Sequence, residues 1–173
     1  MEPGELIKTL DEFMAPESFQ AFRRSHSRIE NWRSMDFQGF GPPHFNRMHV
    51  RHKGFRVNLH LIDSIGESDP LYHCHPWPSV MMILRGSYFM DVGSVGLKAS
   101  RLHLPRFAKY ELHQGGWHSV WSPEPVLSLM LTWHHEQEER LDHFKPLSRE
   151  LQSHMLSEFF FYGARYGETN QED

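Results

Sequence analysis

The hydrophobic pattern of this chain changes period twice. From Glu5 to Phe22 the apolar residues Leu6, Ile7, Leu10, Phe13 and Met14 recur at helical spacing, and Pro16 cuts the stripe. This predicts one helix up to the proline and a second, short one from Pro16 to Arg24. Gly39, Gly41, Pro42 and Pro43 punctuate a loop, and beyond it "FRVNLHLID" alternates from Phe55 to Asp63 as a strand does, with Arg56, Asn58 and His60 on one face. The segments "SVMMILRG", "SYFMDVG", "LKASRLHLP", "KYELHQGGWHSVW" and "PVLSLMLTW" follow, all short, rich in β-forming residues and split by Gly, Pro or Ser. Such a run of strands has the spacing of a barrel or a sandwich. Helical spacing returns from Pro146 to Tyr166, where Leu147, Leu151, Met155 and Phe159 form a stripe and Gly163 is suited to end it.

Composition narrows the class. A chain of 173 residues fits one domain, and 39% hydrophobic with 13% aromatic residues supply a packed core, so disorder is expected only in the tails. The net charge of −4 and the scattered Lys and Arg argue against nucleic acid as a partner. Cys74 is the lone cysteine and cannot form an intrachain disulfide; without a leader or a long apolar span, a soluble cytoplasmic protein with no membrane partner is expected. Histidine is the outlier, with 14 against 18 Lys plus Arg, and it is the side chain most used as a metal ligand.

The spacing of these histidines points to a site. In the extended stretch "YHCHPWPSVMMILRG", His73 and His75 point to one side and Cys74 to the other. By the same parity Ser79, Met81 and Ile83 line that side further on, a polar mouth above an apolar wall. A third donor must come from elsewhere, and in "HQGGWHSVW" the pair Gly115 and Gly116 allows a tight turn that delivers His118 to the start of another strand. His113, before that turn, is either a fourth ligand, a group bonded to a ligand, or a surface residue.

These residues resemble the two motifs of the cupin superfamily. The first joins His-x-His to a Glu and a later Gly, and His73, His75, Ser79 and Gly86 fill those positions. The second reads Pro-x-Gly-x-x-His, and the run from His113 to His118 fills it with the proline replaced. Ser79 stands where many cupins have a carboxylate ligand, and Phe107 where the second motif usually begins with Gly. The resemblance implies a mainly β fold: a single cupin double-stranded β-helix barrel over residues 46–145, an N-terminal helical segment and loop over 1–45, and a C-terminal helix and tail over 146–173. It also implies one divalent metal on His73, His75 and His118, a neutral three-histidine set similar to the iron site of the cysteine-dioxygenase branch. Fe(II) is the leading expectation, with Zn, Ni, Mn or Cu open, since imidazole suits several ions. Met130 and Thr132 stand where thiol dioxygenases carry His and Tyr, while Ser128 is kept, which argues against thiol oxidation. The wording is also similar to that of small bacterial cupins beginning His-Asp-His-Pro-Trp.

The expected function is therefore an Fe(II) non-heme dioxygenase or oxidase acting on a small polar or anionic molecule. Two other classes stay open: a cupin that binds a small molecule without turnover, and a Zn- or Ni-dependent isomerase or lyase with His113 or Tyr110 as proton shuttle. Arg47, Arg51 and Arg56 precede the metal segment, and Arg56 is the candidate clamp for a substrate carboxylate, the alternative being a solvated face. Ser79, Met81, Ile83, His60 and Trp133 are the candidate substrate pocket; Trp117, Trp121 and Trp133 either wall it or fill the core. His134, His135 and His143 read as surface residues, and "EFFFYGARYG" either covers its own barrel or is an apolar patch for a partner. Cupins often pair through strand edges, so an uncovered edge would invite a homodimer.

Overall fold

The computed structural model describes residues 2, 4–36, 45–66, 74–93, 100–133 and 146–169. Two helices lead, α1 (Glu5–Met14) and α2 (Pro16–His26), and a short 3-10 turn at Ile29–Asn31 follows. Nine strands come next among the described residues: β1 (Arg33–Asp36), β2 (Phe45–His52), β3 (Phe55–Ile62), β4 (Ser79–Arg85), β5 (Tyr88–Val92), β6 (Ser100–Leu104), β7 (Lys109–Leu112), β8 (His118–Trp121) and β9 (Val126–Thr132). Helix α3 (Arg149–Thr169) closes the chain. The mainly β expectation with flanking helices holds, in the form of two antiparallel sheets ordered β1-β2-β3-β9-β4-β7 and β6-β5-β8. Among the described residues no helix is long and apolar enough to cross a membrane.

Strand parity divides the molecule into two cores. On the outer face of the large sheet, Met48, Val57, Leu59, Val80, Met82, Leu129 and Leu131 are buried against Leu6, Leu10, Phe13, Phe19, Phe22, Met155 and Phe159 of the three helices. Each such side chain contributes about 1.5–3 kcal/mol by leaving water. The "EFFFYGARYG" segment thus covers its own sheet: Phe159 and Phe160 are buried and Phe161 is exposed. On the inner face Ile62, Met81, Ile83, Tyr110, Val126 and Met130 meet Tyr88, Met90, Leu104 and Val120 of the small sheet.

Several details depart from the sequence reading. Strands β1 and β2 were not expected; β1 lies within the segment assigned to helix and loop, and it pairs with β2 from Arg33↔His49 to Asp36↔Asn46. Gly163 does not end α3. It lies inside the helix, where a Cβ would overlap the Phe19 ring, so its missing side chain lets α2 and α3 approach. The start of α1 is capped from a distance: Glu111 of β7 accepts the backbone N–H of Gly4, Leu6 and Ile7, each at 3.1 Å, satisfying donors that a helix start leaves without partners.

Candidate metal centre

The inner face of the large sheet is laid out in rows by strand register. The row at the end nearest the histidine segment holds Arg51, Arg56, Thr132, Ser79 and Leu112; the next holds Arg33, His49, Asn58, Met130, Met81 and Tyr110; the third holds Arg47, His60, Ser128 and Ile83. Polarity concentrates on β2, β3 and β9, and apolar side chains on β4 and β7. Ser79, Met81 and Ile83 are all buried on this face, in the order the parity of the first motif predicts.

His75 and His118 come together at this end. Pro76, Trp77 and Pro78 carry the chain from His75 into β4, and the backbone N–H of Gly115 donates to the His75 carbonyl at 2.9 Å, tying the glycine turn to the first histidine segment. Gly115 has φ +77°, a conformation that favours glycine, and three residues later the chain enters β8 at His118. The two imidazoles stack with centroids 5.2 Å apart and planes at 14°. His118 is 3% exposed. Its Nδ1 lies 3.2 Å from the Gly116 carbonyl, which can only accept, so Nδ1 donates and the lone pair falls on Nε2.

In centroid spacing alone the pair matches two rings on one cation. A ring bound at about 2.1 Å has its centroid about 3.2 Å from the ion, so two rings meeting at octahedral to tetrahedral angles have centroids about 4.5–5.2 Å apart. His73 lies outside the described residues, as do His134, His135 and His143. Among the described residues no group of three or more His, Cys, Asp or Glu could hold an ion.

Beside the pair runs a buried polar strip. Arg47, His49, Arg56, Asn58, His60, Ser128 and Thr132 are each at most 9% exposed, so Arg56 lies inside rather than on a solvated face. Asn58 ties it together. Its Oδ1 accepts from Arg47 Nε at 3.0 Å, and its Nδ2 donates to the Met130 carbonyl at 3.1 Å, Thr132 Oγ1 at 3.2 Å and the Arg56 carbonyl at 3.3 Å. His49 is held neutral, its pKa lowered to about 3 by burial first and then by Arg47, Arg56, Arg33 and Arg51. Sequence reasoning missed His49 because the stretch 45–52 is assigned no element there; the signal was the alternation of Arg47, His49 and Arg51 with Met48 and Val50.

Two candidate residues are not brought to this site, and the hydroxyl of a third is engaged elsewhere. Trp133 follows the inward-facing Thr132, so parity turns it to the helical side, where it packs against Phe55 at 5.7 Å. His113 is mostly exposed and faces Glu111, with Nε2 3.8 Å from Oε2. Tyr110 does reach the inner face, but its hydroxyl is bonded to the Tyr88 hydroxyl and donates to Met81 Sδ at 3.0 Å. Burial pushes its pKa well above the usual phenol range, which holds the proton rather than relaying it. Of the other tryptophans, Trp121 stacks on Phe89 at 4.3 Å and Trp117 is exposed.

No family model and no curated protein matches the chain. Among solved structures it is similar to hydroxypropylphosphonic acid epoxidase from S. wedmorenis, at 10% identity and a TM-score of 0.46 over 51% of this chain and 50% of that one. The same enzyme in complex with fosfomycin gives 10% and 0.48 over 56% and 53%. A protein from Neisseria meningitidis gives 11% and 0.43 over 51% and 82%. The chain therefore spans about half the length of the epoxidase chains it matches.

Proposed function

We propose that this chain is a metal-dependent, cupin-like oxidoreductase, an Fe(II) non-heme dioxygenase or oxidase acting on a small polar or anionic molecule. The observation that carries the reading is the juxtaposition of His75 and His118, rings 5.2 Å apart, with the Gly116 carbonyl fixing the tautomer of His118. His73 is the proposed third donor, since alternate residues of an extended segment point to the same side. A divalent ion bound there, iron(II) in this reading with Zn, Ni, Mn or Cu as alternatives, would supply Lewis acidity and, for iron, oxygen-dependent redox chemistry.

The chain's own residues do the rest. Arg56 stands in the first inner row beside Thr132 and Ser79, where its planar fork orients a carboxylate or similar group. Asn58, fixed by four hydrogen bonds, stiffens the floor beneath it. Met81 and Ile83 keep water from the deeper part of the site. With Ser79 where a carboxylate ligand would otherwise stand, neutral donors leave the ion its full charge, which favours an anionic substrate.

The test is anaerobic loading with ferrous iron, then oxygen uptake across small carboxylates, catechols and thiols. The reading expects uptake with at least one compound and none in His118→Ala. An iron-loaded protein that is silent with every compound contradicts it. Binding without turnover is favoured by the buried polar strip, and stoichiometric iron in the protein as purified argues against that alternative. The isomerase or lyase alternative loses support from the solvent-facing His113 and the proton-holding Tyr110.

A further inference from the structure

On the helical side of the large sheet, away from the metal centre, two imidazoles sit in a cluster of phenyl rings. His26 is the last residue of α2 and His52 the last of β2, and their ring centroids lie 5.4 Å apart with planes at 87°. Both are half-buried. His26 stacks on Phe22 at 4.4 Å, and His52 meets Phe22 at 5.0 Å, Phe55 at 5.6 Å and Phe13 at 5.9 Å, each edge-on. The Phe22 carbonyl can only accept, so His26 Nδ1 donates to it at 3.1 Å and the lone pair of that ring falls on Nε2. Among the described residues the His52 ring forms no hydrogen bond and no ion pair. The charge around the two rings is positive: α2 brings Arg23 and Arg24 in its last turn, and the hairpin turn brings Lys53. Glu30 of the 3-10 turn is engaged by Arg28 and Arg149, and α1 and β3 present only Phe13 and Phe55.

We propose that His26 and His52 form a proton-operated latch between the last turn of α2 and the β2–β3 hairpin, closed while His52 is neutral and released when both rings carry protons. Closed, the two rings share Phe22 as a common wall. A proton on each sets two like charges one ring apart, half out of water and with no carboxylate to offset them. The closed contact resists the proton on His52: burial first, then His26 and Lys53, hold its pKa below the ordinary 6.5. A histidine lowered in this way favours the closed form fully above its unfolded value of 6.5, and the contribution is lost as the pH falls through the lowered folded value. Release moves little of the fold, because both rings are on end residues: α2 stops at His26, and after His52 the chain turns through the exposed Lys53 and Gly54. The same hairpin end carries the Arg51↔Arg56 pair just inside His52↔Phe55. With Arg56 as the substrate clamp, acid loosens the strand end that aims it; that consequence rests on the proposed function, whereas the latch itself needs neither metal nor substrate.

Amide hydrogen exchange of the full chain tests it, at about pH 7.5 and about pH 5, with each rate divided by that of the same sequence unfolded at the same pH. In wild type, protection in residues 22–26 and 52–55 is expected to fall by about tenfold between the two, while β4 and β9 keep theirs. His52→Phe keeps a ring in the cluster without a titratable group, and there both segments stay as protected at the lower pH as at the higher. His26→Gln removes one of the two charges, and His52, followed by the NMR signal of its imidazole carbon-bound protons, then titrates at a higher pH than in wild type. Equal wild-type protection at both pH values, a fall that persists in His52→Phe, a fall shared by β4 and β9, or a His52 titration unmoved in His26→Gln overturns the proposal. Should His52→Phe not melt cooperatively, the His26→Gln titration decides. Metal content is read separately on the same preparation, so a failure of the latch and a failure of the metal reading are distinguishable.

Discussion

Phe107 holds a left-handed backbone conformation, φ +67°, that costs an L-residue about 1–2 kcal/mol. Its N–H donates to the Ile83 carbonyl at 2.7 Å and its ring packs edge-on against Tyr166 at 5.4 Å, so the turn into β7 and the contact with α3 hold the strain in place. Phe107→Gly removes the strain along with the ring, whereas Phe107→Ala removes the ring and keeps the strain. Urea unfolding should therefore find the Ala variant about 1–3 kcal/mol less stable than wild type and the Gly variant closer to wild type. The reverse order would contradict the account. This position shows what was legible residue by residue. The motif marks it as a glycine site, and the backbone keeps the glycine conformation although the residue has changed. Ser79, Met81 and Ile83 were legible for a similar reason, since parity fixes direction once the strand is known. Trp133 was not: it lies one residue past the inward Thr132, and without the strand register nothing in its identity tells which face it takes. The partnering of Tyr110 with Tyr88 and Met81 is a tertiary contact with no sequence signature.

Among the elements, α1 depends on a single residue far away in the chain, and the packing of α3 on a single residue within it. Burial alone would raise the Glu111 pKa, but the backbone N–H groups of Gly4, Ile7 and Leu6 outweigh it and hold the carboxyl below its ordinary 4.5. A carboxylate with a lowered folded pKa stabilises the fold above its unfolded pKa, and the contribution is lost as pH falls through the folded value. Glu111→Gln should cost about 0.5–2 kcal/mol at neutral pH, with a smaller difference from wild type in acid. Thermal melts of both proteins across that range check it, and a difference that grows in acid would contradict it. Gly163 makes the opposite kind of prediction. Alanine normally favours a helix by about 0.5–1 kcal/mol over glycine, yet here its Cβ would overlap the Phe19 ring, so Gly163→Ala should destabilise by about 1–3 kcal/mol. A stabilised variant would contradict the packing of α2 on α3. The two N-terminal helices and most strands were legible because their periods are strong. Strand β2 was not, because its sequence follows Pro42 and Pro43 closely and its alternating face is made of Arg and His rather than of the apolar residues that usually announce an inward side.

At the scale of the whole molecule, one six-stranded sheet separates two environments. Its outer face is sealed by helices and carries the stability; its inner face, shared with the small sheet, is half apolar and half charged. The histidine pair stands at one end of that inner face, where β4 and β8 begin. A rigid sheet backed by a large core is a good support for such a site, because small errors in the position of a ligand side chain are costly to metal affinity. The claim on which the rest depends is that His75 and His118, joined by His73, hold one divalent cation. Its most direct test is elemental analysis of metal content per chain, in wild type and in His75→Ala and His118→Ala, after loading and removal of excess ion. The account predicts close to one ion per wild-type chain and near-complete loss in each variant that still melts cooperatively. Wild-type protein that retains no ion, or variants that retain it in full, would contradict it.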